Sequence, residues 1–321
     1  MAMTNLVLPE PGFLDSSCNL PLDVPFTAAV ARAAGVPQHL LRLWCRLGLL
    51  RQPIRRVYVA VQVPDSLMLR AQCLRLVVPD DAVICDRHAG WLLGAEMVLA
   101  PNEHLDVMPL SIFLPTGRRL RNSLSDSGER RLRPEDVTEV MGLPVTTMLR
   151  TAWDLGRVRS RERAISGMDQ MLRLPGFPHD AFLSGVERFR GERWVTTLRL
   201  LAPLADGRAE SPPESILRLY WIDAGLPQPV PQLEIWVDGI MIARLDVGHL
   251  EIRFAAEYDG VEWHSSPEQR SHDRARREAV REQDFTIDVF RKENVFGRRR
   301  DVDARLLAAA MQTNRTGRVY L

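Results

Sequence analysis

The sequence predicts a mixed α/β protein in three parts, and three observations carry this. Residues 26–60 read helix, tight turn, helix, then a basic strand-like hairpin. Residues 63–204 mix helical and strand-like runs. After a Pro- and Gly-containing linker at 205–213 the order becomes α-β-β-β-α-β-α. At 321 residues the chain is long for one ordinary domain. The boundaries follow the pattern: 1–62, 63–204 and 205–321.

The first 24 residues are rich in proline and read as an irregular arm. Phe26–Ala34 is a short helix ended by Gly35. Val36-Pro37 opens a second helix, with Leu40, Leu41, Leu43, Trp44 and Leu47 as its apolar face and Gly48 as its stop. Arg55–Ala60 then reads as a strand. This is the order of a winged helix-turn-helix, although an ordinary helical hairpin shares it. Arg42, Arg46, Arg51, Arg55 and Arg56 favour the winged reading, because they would line the second helix and the wing, where phosphate contacts are needed.

In the middle part, Ser66–Leu76 and Arg87–Leu93 read as helices and Leu110–Leu114 as a strand. The arginine-rich run 118–133 reads as a surface loop or hairpin. Pro144–Leu155, Arg161–Leu172, Pro178–Arg190 and Glu192–Leu201 read as helices. His88, His104 and His179 have no partners at ligand spacing and read as structural or exposed.

In the last part, Ser211 can cap a helix opening on Pro212-Pro213 and stopped by Gly225. Strands are expected at Gln232–Val237, Met241–Val247 and Ile252–Tyr258, with Asp238-Gly239 turning the first hairpin. A charged helix at 267–283, a strand at Phe285–Phe290 and a helix at Val302–Met311 complete the chain.

Composition narrows the function classes. A net charge of +1 means no global field attracts nucleic acid, so any such surface is a local patch. Cys18, Cys45, Cys73 and Cys85 form no C-x-x-C pair, which argues against structural zinc. No run reaches the roughly 18 apolar residues needed to span a membrane. The first twenty residues carry no leader-like pattern, so the cytoplasm is the expected compartment. Lys292 is the single lysine among 42 basic residues, so any lysine chemistry has one candidate.

The carboxylates Asp246, Glu257 and Asp259 end two apolar, strand-like runs, with His264 just beyond. Acids at strand ends call for a cation, and a hard divalent metal, Mg²⁺ or Mn²⁺, is the usual one. Glu214 sits in the first turn of the preceding helix, where it would also complement the helix dipole. Asp259-Gly260 can be only a turn, and His264 a solvated loop histidine.

The α-β-β-β-α-β order, with Glu214, Asp246 and Glu257 at matching positions, resembles the core of PD-(D/E)xK nucleases. The stretch Arg244-Leu245-Asp246, Ala256-Glu257-Tyr258-Asp259-Gly260 and Trp263-His264 is more specifically similar to the very-short-patch-repair (Vsr-like) endonucleases, and to a related domain common in actinobacteria. The resemblance covers residues 205–321 and implies a restriction-endonuclease-like fold. It implies Asp246, Glu257 and Asp259 as metal ligands, and catalytic roles for these three with Glu214 and His264. The family lysine would fall at Asp259, and His264 is its natural substitute. Arg270, Arg274, Arg276 and Arg277 of the following basic helix would hold the DNA backbone, although alternating acids make a salt-bridged, solvated helix the rival reading. The first 200 residues resemble AbiEi-type antitoxins, through Gly142-Leu143-Pro144-Val145-Thr146, Arg150-Thr151 and Asp154-Leu155.

Two functions are therefore expected. One is a metal-dependent endonuclease that hydrolyses DNA phosphodiesters in phage defence or repair. The other is a non-catalytic DNA-binding regulator, or an antitoxin of a type IV toxin–antitoxin pair with a cognate toxin as partner.

Overall fold

The computed structural model describes residues 13–15, 18–99, 103, 107–114, 125–128, 131–260, 267–298 and 300–315. It is a mixed α/β protein, with three sheets among the described residues. The chain divides into two compact units, residues 1–97 with 102–151, and 98–101 with 152–321.

The first unit opens with β1 (Phe26–Thr27), α1 (Ala28–Ala33), α2 (Gln38–Arg46), β2 (Leu50–Ile54) and β3 (Val57–Ala60). Thr27 caps α1 by accepting the Val30 N–H at 3.3 Å. Gly35 and Gly48 end the two helices at φ +82° and +71°, as the sequence predicts. The three strands form a sheet in the order β1-β3-β2. Every residue of β3 is buried, because its two faces serve different cores. Tyr58 and Ala60 pack with Leu41 and Trp44 of α2. Val57 and Val59 pack into a second core with Leu69, Leu74, Ile84, Ile112 and Val145. That shared strand is why the expected boundary at 62/63 does not divide the unit.

The same unit continues through α3 (Leu67–Arg75), β4 (Val83–Ile84), α4 (Asp86–Leu92), β5 (Leu110–Phe113), β6 (Ser125–Gly128), β7 (Val137–Val140) and β8 (Leu143–Thr146). The five strands β4–β8 form one sheet in the order β6-β5-β4-β8-β7. Pro144–Thr146, predicted as helix, is strand; the helix α5 (Met148–Gly156) begins only after it. Met141 and Gly142, at φ +51° and +73°, turn the β7–β8 hairpin.

The second unit holds α6 (Arg161–Leu172), α7 (His179–Ser184) and α8 (Val195–Leu201). It then runs α9 (Pro212–Asp223), β9 (Val230–Val237), β10 (Ile240–His249), β11 (Phe254–Tyr258), α10 (Pro267–Arg281), β12 (Thr286–Phe290), α11 (Lys292–Val295) and α12 (Val302–Arg315). The sheet order is β12-β11-β10-β9, with β11 and β12 parallel and the other pairs antiparallel. Asp238 and Gly239, both at positive φ, make the predicted β9–β10 turn.

Val247, Phe254, Ala256 and Phe290 bury one face of this sheet under α9 and α12. Leu245, Ala255 and Ile287 bury the other under Val280 of α10. The linker expected to bound a domain at 205–213 lies inside this unit. The carboxylate of Asp169 on α6 accepts the Asp206 N–H at 2.8 Å and an Arg218 Nη2 hydrogen bond at 2.7 Å, which ties linker, α6 and α9 together. Among the described residues, no helix is long and apolar enough to cross a membrane.

Candidate functional site

The carboxylates cluster where β10 and β11 stop pairing. Side chains alternate along a strand, yet Leu245 and Val247, two apart, enter opposite cores. The alternation therefore breaks at Asp246, opposite Gln232, whose φ is +53°. The β10–β11 ladder ends at Val247 and Ala256, and the Asp246 carboxylate then takes the Tyr258 N–H at 2.7 Å. Burial, with the charges of Glu214 and Glu257 added, pushes the Asp246 carboxyl up to about 7; the Tyr258 N–H and Arg276 pull the other way.

Glu257 is 4% exposed and is neutralised by α10. Its Oε1 lies 2.8 Å from Arg276 Nη1, and its Oε2 lies 2.9 Å from Arg277 Nε. Arg276 Nη1 also donates to the Arg244 carbonyl at 3.2 Å.

Glu214 sits in the first turn of α9, next to its Ser211 cap. Its Oε1 accepts from Ser211 Oγ at 2.7 Å, and its Oε2 from Glu210 N at 2.8 Å and Gln232 Nε2 at 2.7 Å. Both oxygens are thus engaged, which fits the helix-end reading of this residue better than a metal-facing one. Asp259 pairs elsewhere: its N–H donates to Phe290 O at 2.7 Å and its Oδ2 lies 3.7 Å from Arg291 Nε.

Asp246, Glu257 and Asp259 do not close into a ligand set. Among the described residues, no group of three or more His, Cys, Asp or Glu side chains is arranged to hold a metal ion. The cation opposite Glu257 is arginine. His264 lies outside the described residues, as does the side chain of Arg270.

The basic residues divide in the same way. Arg42 and Arg46 on α2, and Arg56 at the β2–β3 turn, are exposed and have no ion-pair partner among the described residues. Arg51 donates to Val63 O and Arg55 to Val107 O, so these two brace the backbone rather than face outward. On α10, Arg274 is exposed, but Arg277 is held by Glu257. The sequence places Arg276 with the DNA-facing arginines of α10 and not at Glu257, where the structure has it, and it does not single out Gln232. Val280 shows the face: among the described side chains of α10 it is the buried one, and Arg276 and Arg277 precede it by four and three positions, on its own face.

The conspicuous motif of the first unit is structural. Arg150, 1% exposed, donates to Asp136 at 2.7 Å and to Arg131 O at 2.9 Å, and Thr146 Oγ1 lies 2.7 Å from Thr151 Oγ1. His88 is a buried core histidine whose Nδ1 accepts the Ser111 N–H at 3.0 Å, and burial drives its pKa down to about 3. The four cysteines are free thiols.

No family model matches the chain. It is similar to "Uncharacterized protein Rv2248" of Mycobacterium tuberculosis (strain ATCC 25618 / H37Rv), 32% identical over 228 residues, which is 71% of this chain and 80% of the relative. "Uncharacterized protein MT2308" of strain CDC 1551 / Oshkosh matches to the same extent. At that identity and coverage, the chain belongs to the family of these Mycobacterium tuberculosis proteins.

Proposed function

We propose that the protein is a DNA-binding regulator, with a winged helix-turn-helix at residues 26–60 and a nuclease-like module at 212–290. The observation that carries the reading is the outward trio Arg42, Arg46 and Arg56: exposed, without an ion-pair partner among the described residues, and placed on the second helix and the hairpin turn that follows it. In a helix-turn-helix those positions meet the groove and the flanking phosphates. The order of α9 to β12 supports the nuclease-like half. The antitoxin likeness adds a cognate toxin as a second partner, with DNA as the first. Fluorescence anisotropy with labelled duplex DNA tests the reading. Binding by the native chain, weakened in Arg42→Ala/Arg46→Ala, is the expected result; equal binding by both overturns it.

The second reading is a Mg²⁺- or Mn²⁺-dependent endonuclease, and one observation favours it. Burial, and then the charges of Glu214 and Glu257, drive the Asp246 carboxyl up to about 7, and displaced pKa values gather at functional sites. The described residues do not fit a metal as arranged, since Arg276 and Arg277 occupy Glu257 and the cap occupies Glu214. Plasmid cleavage in Mn²⁺ that disappears in Asp246→Asn would replace the regulator with the nuclease.

A further inference from the structure

We propose that the first unit carries a binding site for a small amphipathic organic anion, in a cleft of about 660 Å³ beside the helix-turn-helix. The cleft is formed where the β1–β3 segment faces α3 and β5. Its floor is apolar: Ile54 of β2 and Leu110 and Ile112 of β5 are all buried. Leu76, at the end of α3, lines the mouth and is 43% exposed, an apolar side chain left wet by the fold.

The polar side of the cleft has one sign. Arg32, Arg55 and Arg56 line it, with Thr27 and Gln38, and among the described residues no carboxylate does. Arg55 is already engaged at Val107 O. Arg32 and Arg56 are exposed and have no ion-pair partner among the described residues. An apolar floor with a few convergent polar groups is the usual composition of a small-molecule site, and the volume lies in the usual range of about 300–1,000 Å³. Two uncompensated guanidinium groups at the rim select a negative head group; the floor selects an apolar body. A neutral oil would leave the arginines unanswered, and a bare inorganic anion would leave the floor wet.

The site touches the elements that would meet DNA. Its wall includes the first residues of α1, the first residue of α2 and the β2–β3 turn. The Ala28 N–H donates to the Arg56 carbonyl at 3.2 Å, so the turn and α1 are already linked. A ligand bridging Arg32 and Arg56 would draw Arg56 from the outward trio and so weaken DNA binding. That coupling rests on the DNA-binding reading; the binding site itself does not.

The test uses the full chain, the fluorescent anion 8-anilinonaphthalene-1-sulfonate as reporter, and decanoate and decanol as competitors. Saturable dye binding, displaced by decanoate at concentrations about tenfold below those needed for decanol, is expected, one charge-assisted hydrogen bond being worth about that factor. Arg32→Ala should weaken decanoate about tenfold, and Leu76→Glu, which sets a carboxylate at the mouth, should weaken it at least as much. Both positions are exposed, and unchanged thermal melts confirm folding. Equal displacement by decanoate and decanol, unchanged affinity in both folded variants, or no saturable dye binding overturns the site. Decanoate binding by a chain that proves unable to bind DNA leaves the cleft standing and removes the regulator.

Discussion

Arg276 Nη1 sits 2.8 Å from Oε1 of Glu257, on the side of the sheet where α10 packs. Arg277 takes the other oxygen at 2.9 Å. A carboxylate 4% exposed would be costly alone, so this fork is what lets a strand end on an acid. Arg276 is partly exposed, which screens the pair. Arg276→Ala is therefore expected to cost about 1–3 kcal/mol, less than a fully buried pair, because Arg277 remains. Urea denaturation measures it. Full stability in the variant would show that Glu257 needs no such partner.

Asp246 makes a pH prediction. Its folded carboxyl is raised from 3.8 to about 7. Between those values the folded protein holds a proton that the unfolded chain has released. The contribution of this group is therefore present below about pH 4 and lost as pH rises to about 7. Asp246→Asn removes that loss. Its melting temperature relative to the native chain should climb between pH 4 and 7 and stay level above. A difference that is flat across the whole range contradicts the assignment.

Salt dependence separates the arginines that face outward from those that brace the fold. Each phosphate contact lowers the slope of log affinity against log salt by about 0.9. On the proposed DNA-binding function, Arg42→Ala/Arg46→Ala should therefore flatten the slope by about 2 and leave the melting temperature unchanged. Arg51, held at Val63 O with its Nε buried, should behave in the opposite way: Arg51→Ala lowers stability and leaves the slope alone. An equal slope change in both proteins would mean that exposure in the free structure is no guide to the DNA-contacting face.

The sequence was legible where the structure is local. Ser211-Pro212-Pro213, Gly225 and Asp238-Gly239 are caps and turns whose geometry is set by their own residues, and all appear as predicted. Pro144–Thr146 reads as helix in the sequence because its hairpin turns on Met141-Gly142, a pair without the Asn-Gly or Asp-Gly signal. The acids Asp246 and Glu257 were visible as polar ends to apolar strands. Their partners were not, because Arg276 reaches Glu257 from about twenty residues away in the chain and through α10 packing. The hold on the linker at 205–213 is hidden for a similar reason: Asp169, which binds it, sits in an unremarkable helical stretch.

That last interaction gives the largest expected stability effect. Asp169 is 0% exposed and Arg218 3%, with 2.7 Å between Oδ2 and Nη2. Burial still raises the Asp169 carboxyl to about 6 against the pull of Arg218, so desolvation outweighs pairing there. Truncating one partner leaves the other charged and buried. Asp169→Ala should therefore cost about 3–5 kcal/mol, whereas Asp169→Leu/Arg218→Met, which removes both charges at similar bulk, should recover most of that loss. Gly207 adds a second restraint on the same segment, since a Cβ there would lie 2.6 Å from the Leu172 backbone carbon. Asp169→Ala should accordingly open residues 205–213 to protease under conditions where the double variant resists cleavage. Two variants with equal stability and equal cleavage would show that the linker is held by packing around Gly207 and not by the buried ion pair.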